Sequence, residues 1–313
     1  MAKPVVNEGM LKRKKGFTSE DWQIYSFLIP AVILIVLFSY IPMYGIVMAF
    51  QNYRAGNDIF DLFNARWVGF KWFEQYLGSV YFERTFVNTI RLSLLNLCFG
   101  FTMPIVFALL LNEVRNLKLK KTVQTISYLP HFISTVVVAG MVISFTDMNG
   151  LINNFLALFG VEQVEWLVKA DYFPGIYTIT NVWKEFGFGS ILYFSTLSSI
   201  DPQLYEAARI DGANRWQQLL YVTLPSLMFI IAVQLVMQTG KMLQSNRDLI
   251  LLLYRSSNAT MSDTISTYVY RMGIEGGKYS FATAVGLFSS MIGLVLTVIT
   301  NKISNKVSGY GLW

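Results

Sequence analysis

Long apolar runs organise this chain. Six stretches of predominantly apolar residues stand out, at approximately 24–50, 85–111, 122–146, 173–199, 224–245 and 281–303. Each is long enough for a helix to cross a bilayer, which takes about 20 residues. The pattern predicts an all-α, polytopic membrane protein with about six transmembrane helices. The fourth run is the least uniform, because it holds Asn181, Lys184 and Glu185, and the fifth holds Gln234, Gln238 and Lys241. Before the first run come Lys12, Arg13, Lys14 and Lys15. A secretory signal has the same order of charge and apolar run. Here the run far exceeds the roughly 7–15 residues of a signal core, and no small-residue cleavage site follows. It reads as a retained first helix, with Trp22 and Tyr25 at the interface.

Composition agrees with a membrane protein. Hydrophobic residues make up 54% and charged residues only 14%, against about 25% charged in soluble domains. The net charge of +6 is not gathered into one aromatic-interleaved patch, so nucleic acid is not the expected partner. The dense basic clusters flank apolar runs at 12–15 and 115–121. The basic residues of alternate loops are spread over longer segments. By the excess of Lys and Arg on the inner side, both termini are expected in the cytoplasm of a bacterial cell, in its inner membrane. The expected layout is a cytoplasmic segment at 1–23, a membrane domain at 24–304 and a cytoplasmic tail at 305–313. The outer loops, about 51–84, 147–172 and 246–280, are too long for simple connectors. Trp67, Trp72 and Trp166 suggest an interfacial cap there. The one cysteine, Cys98, permits no internal disulfide or Cys-based metal site and is expected as a small buried residue.

The segment Asp201–Ala213 is unusual for a connector. Asp201 and Pro202 suit an N-cap and the first helical position. Residues 205–210 favour helix, with Ala207 and Ala208 giving a small face, and Gly212 can end it in the left-handed conformation. A short second helix is expected from about Asn214 to Tyr221, with re-entry into the membrane at Leu224-Pro225. A small-faced helix presenting Glu206 to the cytosol fits a docking element; a polar connector fits equally. Glu206-Ala-Ala-Arg-Ile-Asp-Gly-Ala213 followed by Val222-Thr-Leu-Pro225 resembles the EAA loop of binding-protein-dependent ABC importer permeases. Tyr40-Ile-Pro-Met-Tyr-Gly45, Trp67-Val-Gly69, Leu109-Leu-Leu-Asn-Glu113, Tyr128-Leu-Pro-His-Phe-Ile-Ser134 and Ala282-Thr-Ala-Val-Gly-Leu-Phe288 are similar to the oligosaccharide and polysaccharide branch of that family. That branch includes permeases for alginate, aldouronate and rhamnogalacturonan fragments. The resemblance extends from about Asp21 onward. The stretch Ser245–Asp248 matches the family's aromatic–acid segment only loosely.

The resemblance implies a type I importer permease fold, a second homologous permease, a dimer of ATPase subunits and an extracellular solute-binding protein. It assigns coupling to Glu206, Ala207, Ala208, Asp211, Gly212 and Ala213, which would dock in a cleft of the ATPase. The sequence has no G-x-x-x-x-G-K-[ST] phosphate loop. This subunit is therefore expected to be no enzyme and to hold no cofactor, with ATP and Mg²⁺ bound by the ATPase. A stand-alone secondary transporter or channel is the competing class, but it leaves the EAA segment without a purpose. A membrane enzyme is disfavoured by the absence of a His/Asp/Glu constellation in the sequence.

A saccharide path needs hydrogen-bonding groups and aromatic surface. Asn181, Lys184, Glu185 and Phe188 recur at helical spacing, one stripe of a helix, with Trp183 beside them. Gln234, Gln238 and Lys241 form a similar stripe on the fifth run. Lys184 and Glu185 lie near the middle of their run, where ionisable groups face a cavity or a partner. Adjacent positions point about 100° apart, so at most one of the two need face a pathway. An ion pair with a neighbouring helix is the alternative for the other. His131, the only histidine, reads as a packed feature beside Pro130, not a metal site.

Overall fold

The computed structural model describes residues 19–53 and 65–313. The basic cluster at 12–15 and Arg54 lie outside the described residues. Two units are distinguished, residues 1–47 and 48–313. In the first, helix Ser19–Ile35 runs through a π-helical turn, Val36–Tyr40, into Ile41–Met43. Its large apolar side chains, Phe27 and Phe38 among them, are exposed, as a lipid-facing helix requires.

The second unit is a bundle of long helices. Val80–Leu95 continues through a π turn, Asn96–Phe101, into Thr102–Asn112. Phe173–Ser198 is unbroken for 26 residues, about 39 Å at 1.5 Å per residue. The last helix, Tyr279–Ser308, has 30 residues. Among the described residues five segments are both long and apolar enough to cross a membrane: Trp22–Phe50, Val80–Asn112, Thr135–Ala157, Arg215–Gly240 and Tyr279–Ser308. The 173–198 helix is long enough but polar, and it sits inside the bundle with Asn181 and Lys184 buried. That is the physical reason for its weak apolar signal: it faces protein on most sides, not lipid.

Three π turns precede prolines. Val36–Tyr40 is followed by Pro42, Asn96–Phe101 by Pro104 and Leu219–Thr223 by Pro225. A proline ring clashes with the carbonyl four residues earlier. Those carbonyls belong to Phe38, Gly100 and Tyr221, each inside a widened turn, so the helices continue past the proline. This corrects the expected separate short helix from about Asn214 to Tyr221. The short helix Arg215–Gln218 flows directly into Leu224–Gly240.

The third apolar run, expected as one helix over 122–146, is broken. Leu117–Tyr128 gives way to a tight turn at Leu129–Phe132, and Thr135–Thr146 starts anew with Ser134 as its N-cap. Leu129 keeps helical angles and Pro130, which has no amide hydrogen to donate, falls in the tight turn; the chain leaves helix at Ile133 and Ser134, with ψ 134° and 138°. Cys98, expected to be buried, is exposed; it lies in the π turn on the outward side. The last helix extends to Ser308, so the expected tail at 305–313 begins within it. Beyond Gly309 the chain folds back: Leu312 N–H donates to Asn301 Oδ1 at 2.8 Å and Asn305 Nδ2 donates to the Trp313 carbonyl at 3.0 Å.

Small residues bring the helices close. A Cβ at Gly187 would collide with the backbone of Ser127, and one at Gly293 would lie 2.9 Å from the Gly240 carbonyl. Such close approach is the usual basis of helix packing where lipid, not water, is the solvent. A second core lies around Tyr76, which is buried among Phe82, Tyr268, Phe281 and Phe288. Burial pushes its phenol up to about 12, against the opposing hydrogen bond from Thr85.

Candidate functional site: a polar cavity and an exposed interhelical segment

The π turn at Asn96–Phe101 rotates the helix that contains it and presents Asn96 to the middle of the 173–198 helix. Asn181 Nδ2 donates to Asn96 Oδ1 at 2.9 Å. Asn246 Nδ2 donates to Asn181 Oδ1 at 3.1 Å, and the Asn246 amide donates to the Tyr177 hydroxyl at 2.9 Å. Three amides from three separate elements thus form a chain in the bundle interior. Beside it opens a cavity of about 510 Å³ whose wall includes Asn96, Asn181, Gln234, Gln238, Lys241 and Asn246. A second cavity of about 510 Å³ adjoins it, sharing Asn96, Asn181, Gln234 and Gln238 and adding Glu185, Phe188 and Tyr193.

The two stripes therefore meet, with informative exceptions. Asn181, Glu185 and Phe188 line cavity wall, as do Gln234, Gln238 and Lys241. Lys184 and Trp183 line neither. Lys184 is buried; its ammonium donates to the His131 carbonyl and to Glu185 Oε1, both at 3.3 Å. Trp183 points to the outside of the bundle, 40% exposed. Glu185 thus faces the cavity while its neighbour supports it, as adjacent helical positions require. Its other oxygen lies 2.8 Å from His131 Nδ1. The His131 ring stacks on Phe188 at 3.9 Å and 3°. The broken third run thus holds the acid and the aromatic face in place. Lys241 lies just past the end of its helix, at the C-cap, not within the stripe. It is the one formally charged residue on the wall of the first cavity.

Sequence reasoning passed over Asn96, Tyr177 and Asn246. Asn96 did carry a signal, being an amide within an apolar run. Asn246 carried none, since its role depends on a turn at 242–246.

At the opposite end of the bundle, Asp201 caps helix Pro202–Ile210 by accepting from the Gln203 amide at 2.9 Å. Gly212 has φ +80°. The Ala213 amide donates to the Ala208 carbonyl and the Gly212 amide to Arg209, at 2.9 and 3.0 Å, a Schellman ending. Asn214 and Gln217 form a capping box. No side chain of Pro202–Ile210 is buried. Glu206, Ala207, Asp211 and Gly212 are exposed, while Ala208 and Ala213 are partly covered. Ile210, Trp216 and Tyr221 are 87%, 68% and 77% exposed, a large apolar display on one short segment.

A helical bundle with a polar interior cavity and an exposed interhelical segment is the architecture of a membrane-spanning permease. Residues 100–309 match the family model described as binding-protein-dependent transport system inner membrane component, and the chain belongs to that family, the membrane permeases of ABC importers. Relatives include the polygalacturonan/rhamnogalacturonan transport system permease protein YteP of Bacillus subtilis (strain 168), 37% identical over 93% of this chain and 90% of that protein. Protein LplB of the same organism is 37% identical over 99% and 97%. Among solved structures, a bacterial ABC transporter for import of the acidic polysaccharide alginate has a chain 42% identical, with TM-score 0.84, covering 92% of this chain and 96% of that one. The alginate transporter in complex with an alginate pentasaccharide-bound periplasmic protein matches at 41% identity and TM-score 0.85, over 94% and 97%.

Proposed function

We propose that this permease carries an acidic oligosaccharide, delivered by an extracellular binding protein, through a path it forms with a second, homologous permease. The observation that carries the reading is the cavity of amides with a single cation. Asn96, Asn181, Gln234 and Gln238 offer both donors and acceptors to sugar hydroxyls. In the adjoining cavity Phe188 offers an apolar ring face, beside Glu185, whose carboxylate is held by Lys184 and His131. Lys241 makes no ion pair among the described residues and supplies charge for a carboxylate, whereas Lys184 is engaged with Glu185. The relatives named for polygalacturonan, rhamnogalacturonan and alginate favour the same class of cargo.

In this reading ATP and Mg²⁺ are held by a separate ATPase dimer, and the 201–223 segment docks on it in the cytosol. Both termini lie on that side, with 246–280 outside. Glu206 carries the exposed negative charge of the docking helix; Ala207 and Ala208 let a partner approach, and Asp211, Gly212 and Ala213 form its turn. Closure of the ATPase would then move the helix that runs without interruption from Arg215 to Gly240 and so act on Gln234 and Gln238.

The test is solute-stimulated ATPase of the complete complex in proteoliposomes with binding protein present. Acidic oligosaccharides should stimulate and neutral ones of equal length should not. Asn181→Leu and Gln238→Leu should weaken stimulation with assembly intact, and Lys241→Met should erase the preference for acidic cargo. Equal stimulation by neutral and acidic oligosaccharides would refute the charge assignment. Unchanged stimulation in both Leu variants would place the site on the partner permease.

A further inference from the structure

On the far side of the turn at 242–246 lies another cavity, of about 450 Å³. It shares Gln244, Ser245 and Asn246 with the first cavity. Its opposite wall is separate and comes from Ser266, Gly286, Ser289 and Ser290. Ser289 and Ser290 lie about ten residues into the last helix, roughly 15 Å along it. At that depth a lipid-facing surface is apolar, yet eight of the twelve wall residues here are polar or charged. The occupant is therefore polar. A bare ion does not suit the space, because the one carboxylate, Asp248, is exposed and pairs with Arg247 at 3.2 Å. Hydroxyls, amides and a guanidinium are the groups that take up sugar hydroxyls and carboxylates.

Ser245 forms the wall between the two cavities and is unusual twice over. It is the one non-glycine residue with positive φ (26°, ψ 162°) among the described residues. Its hydroxyl is buried without a hydrogen-bond partner. Backbone strain of this sort persists where the surroundings impose it and clusters at ligand sites. A buried hydroxyl without a partner requires an explanation, such as a group that arrives with a ligand.

We propose that this cavity is a second saccharide subsite. A linear acidic oligosaccharide would lie across the turn, with rings in both cavities and the Ser245 hydroxyl bonded to the stretch between them. The proposal rests on the cargo reading above and adds that the permease measures chain length. Arg247, on the wall of this outer subsite only, is its one cation, and its solvent-exposed pair with Asp248 is weak enough to be exchanged for a second carboxylate.

The experiment uses the complete complex with its binding protein and oligogalacturonates of two to five rings as probes. Gly286→Leu fills the subsite from its helical wall, and nothing lies within 4 Å of an added Cβ there. It should raise the concentration of tetramer and pentamer needed for half-maximal ATPase stimulation by about tenfold or more, and leave the dimer response unchanged. Ser245→Ala should weaken the longer probes by a smaller factor, about threefold to tenfold, the effect of one hydrogen bond. Ser290→Leu repeats the filling from another position and carries the comparison if Gly286→Leu does not assemble. An identical shift for every chain length, or none, overturns the proposal. Loss of the second permease from both filled variants also overturns it, by showing the cavity to be a subunit contact. A wild-type complex that no oligogalacturonate stimulates rejects the cargo reading itself, and the subsite with it. That outcome is distinct from a wild type that responds and a variant that does not discriminate.

Discussion

The segments 201–223 and 254–278 both lead into long helices, Leu224–Gly240 and Tyr279–Ser308, and they are built by opposite means. The first is held almost wholly by local contacts. Asp201, Gly212, Asn214 and Gln217 supply caps and turn within a few residues of one another. The second is tied to distant helices by buried polar groups. Asp263 is fully buried and receives Arg84 at 2.6 Å and Arg271 at 2.6 and 2.7 Å. Asn88 donates to the carbonyls of Thr260 and Asp263 at 2.8 and 3.1 Å. Asn258 reaches the Leu167 carbonyl at 2.8 Å and accepts from Ser262 at 2.8 Å. A segment whose outer face is exposed has few distant groups to lean on and must carry its own hydrogen bonds. A segment that closes one end of the bundle gains more by joining helices that are far apart in sequence.

The largest expected effect lies in the stitched segment. Asp263→Leu leaves two arginines facing a buried site with no counter-charge, a cost of about 3–5 kcal/mol. The purified complex should melt far lower or fail to assemble, with Asp263→Asn intermediate. An unchanged melting temperature would mean that Asp263 does not hold the segment.

Next comes Gly212→Val. A β-branched residue at φ +80° costs about 1–2 kcal/mol, but the strain is confined to a segment that few other residues lean on. Global melting should move little; if helix Pro202–Ile210 docks on the ATPase as proposed, transport should be lost, because that helix is re-aimed. Glu206→Lys should do the same with no structural strain, by reversing the one exposed carboxylate of that helix. Normal transport by either variant, with the ATPase still bound, would remove the coupling role assigned to that residue.

Asp201→Ala removes a cap worth about 1 kcal/mol, and hydrogen exchange should report faster opening of 202–210 with 254–278 unaffected. The smallest effect belongs to Arg215→Gln. Arg215 meets Glu113 at 3.3 Å with side chains 64% and 59% exposed. An ion pair so open to solvent contributes below about 1 kcal/mol, and salt should screen what there is. A large destabilisation from this substitution would show that the exposed segment relies on the bundle after all.

The same contrast explains what could be read from the chain. Caps, turn glycine and small face at 201–213 are consecutive in sequence, and the structure has them where their spacing puts them. The cavity was half legible. Gln234 and Gln238, like Asn181 and Glu185, share a helix and so a periodicity. Lys184 breaks the pattern because the His131 carbonyl, on another run, turns it away from the cavity. Asp263 had no mark at all: its partners lie 179 residues before it and 8 after.

The sequence by itself determined that this is a helical membrane protein, since apolar runs of span length have no other stable setting. It also determined the form of the 201–213 segment, because hydrogen bonds between near neighbours are set by residue type and spacing. Only the tertiary structure decided where the helices widen or break. Pro42, Pro104 and Pro225 are absorbed by π turns, while Pro130 sits in a tight turn between two helices. It also decided which polar groups face the cavity. Asn96, Asn181 and Asn246 are 85 and 65 residues apart, and their meeting depends on the rotation of three elements about their axes, which no local pattern encodes.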